Sequence, residues 1–146
     1  MLFTRINRTD PEKVWISVYA GEALIKGRPV CLHFYGGGDG KEGYTADAAT
    51  DSTLVVGIAD ANIAPGDYGL VQCYGFRDDA YMTLGSDAAA NCGAILAVAS
   101  ASSGFLSMSV SIGAITAVNP MFVYAHSVSK TTTTALWLGG VFIRCM

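Results

Sequence analysis

The sequence predicts an all-β fold: a single-domain barrel or sandwich of roughly seven to ten short strands, with an extended N-terminal arm. Three observations predict it. Short runs rich in Val, Ile, Tyr, Phe and Trp recur along the chain, each bounded by Gly, Pro or Asp. Two such runs, in "VVGIADANIAPGDYGLVQCYGF" (Val55–Phe76), flank a proline–glycine turn. The stretch from Ala88 to Ser129 has no Asp, Glu, Lys or Arg, yet serines, Gly104 and Pro120 interrupt it repeatedly. A membrane-spanning helix needs about 20 predominantly apolar residues, so this stretch reads as several uncharged strands.

Val14–Ala20, "VWISVYA", follows an Asp10-Pro11 turn and is the first strand. Residues 1–13 form the arm, and 14–146 one β domain. Lys26-Gly27-Arg28-Pro29 turns the chain between strands at Ala23–Ile25 and Val30–Tyr35. "GGGDGKEG" is a flexible loop, and the small, polar "YTADAATDST" holds at most one helical turn. Leu54–Ala59 is a strand. Pro65 pre-sets φ and Gly66 supplies the positive φ of a type II turn. The partner strand, Leu70–Phe76, alternates Leu70, Gln72, Tyr74 and Phe76 with Val71, Cys73 and Gly75. The second, compact face is assigned to the core and the first to a neighbour. Gly69 shapes the entry to this strand, and Gly75 within it marks a bulge or a close backbone approach.

"CGAILAVAS" and "GFLSMSVSIGAITAV" make a hairpin about Ser100–Gly104, with a helix over Ala88–Ala99 the alternative. "MFVYAHSV" and "ALWLGGVFIRCM" close the fold. The last strand is apolar on both faces, which makes it central or buried at an interface.

At 146 residues the chain can bury a core unaided. Charged residues are 14% of it, against roughly 25% in a typical soluble domain, which points to surface covered by an interface. Residues 1–87 hold all 12 acidic residues and all but two of the 9 basic ones, Lys130 and Arg144. A net charge of −3 gives no basic stripe for direct nucleic-acid binding. The opening residues lack the apolar stretch of a secretory signal. Cys31, Cys73, Cys92 and Cys145 form no CxxC and are expected as free thiols in a reducing cytoplasm.

The motifs for chemistry fail on inspection. A P-loop needs glycine where Tyr35 stands. Gly38-x-Gly40-x-x-Gly43 fits the bare dinucleotide pattern, but no helix follows to hold a pyrophosphate. His33 and His126 lie far apart in strand-like settings without ligand spacing to the cysteines. Adjacent Asp78 and Asp79 point to opposite faces of a strand and are read as a solvated loop after Phe76. Asp47 and Asp51 have no partner base. No catalytic residue, metal or cofactor is expected.

The stretch "ALIKGRPV…VVGIADANIAPGDYGLVQCYGF" and the ending "LGGVFIRCM" resemble the small head decoration, or cement, proteins of tailed bacteriophages. The match spans Val14 to Phe76. The resemblance implies a non-enzymatic shell protein, a homotrimer at local three-fold positions on the outside of the expanded capsid. Its partners would be the major capsid protein and itself, with no membrane and no direct nucleic acid, and its assembly would take place in the host cytoplasm. Contacts are then expected from Phe3, Arg5 and Arg8 of the arm, from Tyr74 and Phe76, and from the strand around Trp137. The alternatives are a fibre or tail accessory component, or a small β-barrel binding module with a ligand near His33, Tyr35 and His126.

Overall fold

The structure is a computed structural model, and it describes residues 12–34, 39–47, 55–83, 95–98, 106–108, 122–125 and 137–145. Regular structure among the described residues is all strand, with no helix. The nine strands are β1 (Val14–Ala20), β2 (Pro29–Leu32), β3 (Glu42–Thr45), β4 (Val55–Ala59), β5 (Tyr68–Thr83), β6 (Ile95–Val98), β7 (Leu106–Met108), β8 (Phe122–Ala125) and β9 (Trp137–Arg144). They form one mixed sheet in the order β1-β3-β2-β4-β5-β7-β6-β8-β9. Two pairs, β1–β3 and β5–β7, are parallel, and the others are antiparallel. Two extra pairings, β1–β5 and β5–β9, make the sheet return on itself twice.

β5 is the common member of both circuits. It was expected to end at Phe76, but it runs 16 residues. Its first part lies between β1 and β4, with Val71 opposite both Ile16 and Ala59. Its second part, Tyr74 to Met82, pairs with β9. The expected solvated loop at Asp78-Asp79 is therefore corrected: both residues lie within β5, at an irregularity between Arg77 and Ala80. One extra residue on β5 there lets the strand bend without ending.

Among the described residues, two apolar clusters are buried. One gathers Val18, Ala20, Leu24, Val30, Ala59, Ile63 and Val71. The other gathers Cys31, Ile58, Met82, Leu96, Val141 and Ile143 with smaller neighbours. β2 and β4 serve both. Val30 and Ala59 face the first cluster, while Cys31 and Ile58, one residue away in each strand, face the second. Successive side chains point to opposite faces, so a strand between two cores must be apolar throughout. That explains the unbroken runs "PVCL" and "VVGIA".

Several local expectations are corrected. The short strand over Ala23–Ile25 reduces to a single bridge between Leu24 and Ile63. Its successor starts at Pro29 and stops at Leu32, short of Tyr35. Tyr44 and Thr45, which open "YTADAATDST", lie in β3, and residues 48–53 of that stretch lie outside the described residues. β3 pairs with β1 on one flank and β2 on the other, and pairing on both sides outweighs its polar composition. Ile95–Val98 is strand and pairs antiparallel with β7, which removes the helical alternative there. Residues 88–94 with Cys92, the Ser100–Gly104 turn and residues 1–11 of the N-terminal arm lie outside the described residues.

Candidate interaction surface

The edge of β5 beside Tyr74 and Phe76 is paired within the sheet. β9 lies alongside it, with Tyr74 opposite Arg144 and Phe76 opposite Phe142. Tyr74 and Phe76 are half-buried, and the Tyr74 ring packs edge-on against Phe142 with centroids 5.4 Å apart. Gln72, read from the sequence as part of the same outward face, is 2% exposed. Its Nε2 donates to the carbonyls of Tyr74 and Phe76, each at 3.2 Å. The Cys73 carbonyl accepts from the Cys145 amide on the β9 side. By alternation the Tyr74 and Phe76 carbonyls face the other flank, where β1 ends at Val14. The Gln72 amide thus supplies donors to carbonyls of its own strand.

A well-exposed surface among the described residues lies on the outer face of β1 and the start of β5. Trp15, Ser17 and Tyr19 project there opposite Gln72, Leu70 and Tyr68. Tyr68 is 76% exposed, Leu70 52% and Trp15 41%. Tyr19 and Tyr68 stack at 5.2 Å with their planes tilted by 60°. The result is a stripe of large apolar and amphipathic side chains on a paired strand backbone. Such side chains carry much of the energy of protein interfaces. The sequence held the signal for it. In "VWISVYA", Ile16, Val18 and Ala20 form the compact face, so period-2 alternation turns Trp15, Ser17 and Tyr19 outward.

The other predicted positions fall as follows. Pro65 and Gly66 occupy the central positions of the turn closed by the Asp67 amide on the Ala64 carbonyl, at 3.1 Å, and Gly66 has φ +85°. Gly69 lies against the Ile63 side chain. Gly75 has φ +103°, and a Cβ there would run into the Glu12 carbonyl oxygen. Trp137 opens β9 opposite Met82. Phe3, Arg5 and Arg8 lie outside the described residues, as do Tyr35 and His126. His33 stacks on Tyr44 at 4.6 Å. Cys31, Cys73 and Cys145 are free thiols. Among the described residues, no cluster of three or more His, Cys, Asp or Glu side chains could hold a metal ion.

The sequence reading missed a charge network beside the β5 irregularity. Arg77 is 4% exposed, and its guanidinium pairs with Asp60 at 3.1 Å and with Asp79 at 2.5 Å. Lys26 reaches the other Asp79 oxygen at 2.9 Å. Burial works to raise the Asp79 pKa, but Lys26 and Arg77 together outweigh it and hold the carboxyl below its usual value. A carboxyl depressed in the folded state contributes stability above its unfolded pKa and loses it as pH falls through the folded value. The melting temperature should therefore fall on acidification through the carboxylate range, below about pH 4. Asp79→Asn should flatten that limb. An acid limb of unchanged steepness in the variant would show that Asp79 is not its source.

A scan of protein-family models and a search of curated proteins each find no match to this chain.

Proposed function

We propose that the chain is a structural virion protein of the head-decoration type. In this reading it binds the outside of an expanded phage capsid, as a homotrimer at local three-fold positions, and stabilises the shell. The observation that carries the reading is the exposed stripe of Trp15, Tyr68 and Leu70. A lightly charged chain that displays such a stripe on rigid strands has a surface suited to cover by protein. The resemblance over Val14 to Phe76 names a capsid as what covers it. Tyr74 and Phe76 would border that contact, and Phe3, Arg5 and Arg8 of the arm would extend it. Many modest contacts repeated around the shell would add through avidity.

The barrel form belongs to the same proposal. The circuit β1-β3-β2-β4-β5-β1 and the circuit β5-β7-β6-β8-β9-β5 support a pair of small barrels with β5 in common.

Co-sedimentation with capsid shells before and after expansion tests the function. Saturable binding to expanded shells, at a fixed ratio to the major capsid subunit, is the expected result. Absence of binding to either form would overturn it. Trp15→Ala combined with Leu70→Ala should weaken that binding on the order of tenfold or more. The melting temperature should move little, because both side chains are exposed. Undiminished binding by a folded double variant would remove the stripe from the interface.

A further inference from the structure

We propose that Cys73 and Cys145 are a redox pair that closes into a cross-strand disulfide, stapling the end of β9 to the middle of β5. The Cys145 amide donates to the Cys73 carbonyl at 2.9 Å. This bond continues the β5–β9 register one step beyond Tyr74 opposite Arg144, so the two cysteines face each other directly. Directly opposed residues of an antiparallel pair share a face. The Tyr74–Phe142 ring contact marks the opposite face, which puts both thiols on the inner one. Hydrogen-bonded pairs of this kind hold their Cα atoms about 5.5 Å apart. A disulfide accepts Cα separations of about 4.4–6.8 Å, so the backbone need not move far to admit the bond.

The reduced pair is protected. Cys73 is buried, and its Sγ donates to the Val14 carbonyl at 3.4 Å. Burial pushes its pKa up. Burial, and then the charge of a Cys73 thiolate, push Cys145 up to about 12. Little thiolate is present at neutral pH, and thiolate is the attacking species. The staple thus forms slowly, and Cys145, the more exposed of the two, reacts first.

With a low-molecular-weight disulfide such as oxidised glutathione as oxidant, the steps balance. The Cys145 thiolate attacks one sulfur of the oxidant, forms a mixed disulfide and releases one glutathione thiolate. Cys73 turns from the Val14 carbonyl, loses its proton and attacks the Cys145 sulfur, releasing the second glutathione. The protein loses two electrons and two protons, and the oxidant becomes two thiols.

The experiment incubates the folded full chain with oxidised glutathione, digests it without reduction and maps linked peptides by mass spectrometry. A Cys73–Cys145 peptide is expected, at a rate rising about tenfold per pH unit between about pH 7 and 9. It should form equally in a Cys31→Ser, Cys92→Ser double variant, and Cys145→Ser should abolish it. The linked chain should melt on the order of 10 °C higher than the reduced one, because the bond closes a long loop. Linkage of either residue to Cys31 or Cys92 would overturn the pairing. So would a stable glutathione adduct on Cys145, or two unreacted thiols after prolonged incubation at about pH 9. A linked form that melts no higher would overturn the staple.

Discussion

Gly75→Val should lower the melting temperature more than any other single glycine change in the Pro65–Phe76 segment. Two costs act together. The backbone at Gly75 has φ +103°, a region that a β-branched residue enters only under strain. A Cβ would also meet the Glu12 carbonyl oxygen and lie 3.1 Å from the Lys13 Cα. Those neighbours are main chain leading into β1, so they cannot swing aside as a side-chain tip could. The combined cost is about 3 kcal/mol or more, a fall on the order of 10 °C for a chain of this size. Gly66→Val is the internal control. Gly66 has φ +85°, but the nearest atom to its added Cβ is the Tyr19 hydroxyl at 3.7 Å. It carries the conformational cost alone, about 1–2 kcal/mol. Thermal melts of the two variants separate steric from conformational strain. Equal losses would show that the Glu12 backbone yields.

Arg77→Ala should be the most damaging change of a charged residue among those described. The mutation deletes a buried stem and leaves Asp60 and Asp79 facing each other with Lys26 as their remaining cation. Removing one partner of a buried ion pair costs about 3–5 kcal/mol where the orphaned charge stays dry. Here both carboxylates keep some access to water, so about 2–3 kcal/mol is expected. Arg77→Met should recover part of the loss by restoring the stem. Chemical denaturation measures both. A loss below about 1 kcal/mol for Arg77→Ala would mark the network as an ordinary surface ion pair.

The elements most legible in the sequence were those in which local chemistry and tertiary role agree. β1 was bounded at Val14 and Ala20 because its alternation is undiluted and its flanks are turn residues. The Pro65-Gly66 turn was legible because each residue has its own backbone preference. Gln72 and Asp79 were placed on the outside, and Arg77 was passed over, for one physical reason. Polar side chains carry no apolar pattern to place them in a core, but each finds its partners inside the fold: backbone carbonyls for Gln72 and opposite charges for the other two. β3 was missed because "EGYT" is short, with Tyr44 and Thr45 its β-favouring residues, and β1 and β2 complete its pairing from both flanks. The interaction surface was half legible. Its aromatic character was seen at the half-buried Tyr74 and Phe76, while the more exposed stripe holds Trp15, Tyr68 and Leu70.

The sharing of β5 between two circuits has a consequence in time. Every strand of the first circuit lies within residues 14–83, so it can close as soon as Thr83 has been synthesised. The second half of β5 pairs with residues 137–144, which follow more than fifty residues later. A ribosome making this protein therefore holds a half-finished sheet whose longest strand presents an unpaired edge from Tyr74 onward. Open edges invite pairing with other chains, so crowded synthesis exposes this protein most between the birth of β5 and the arrival of β9.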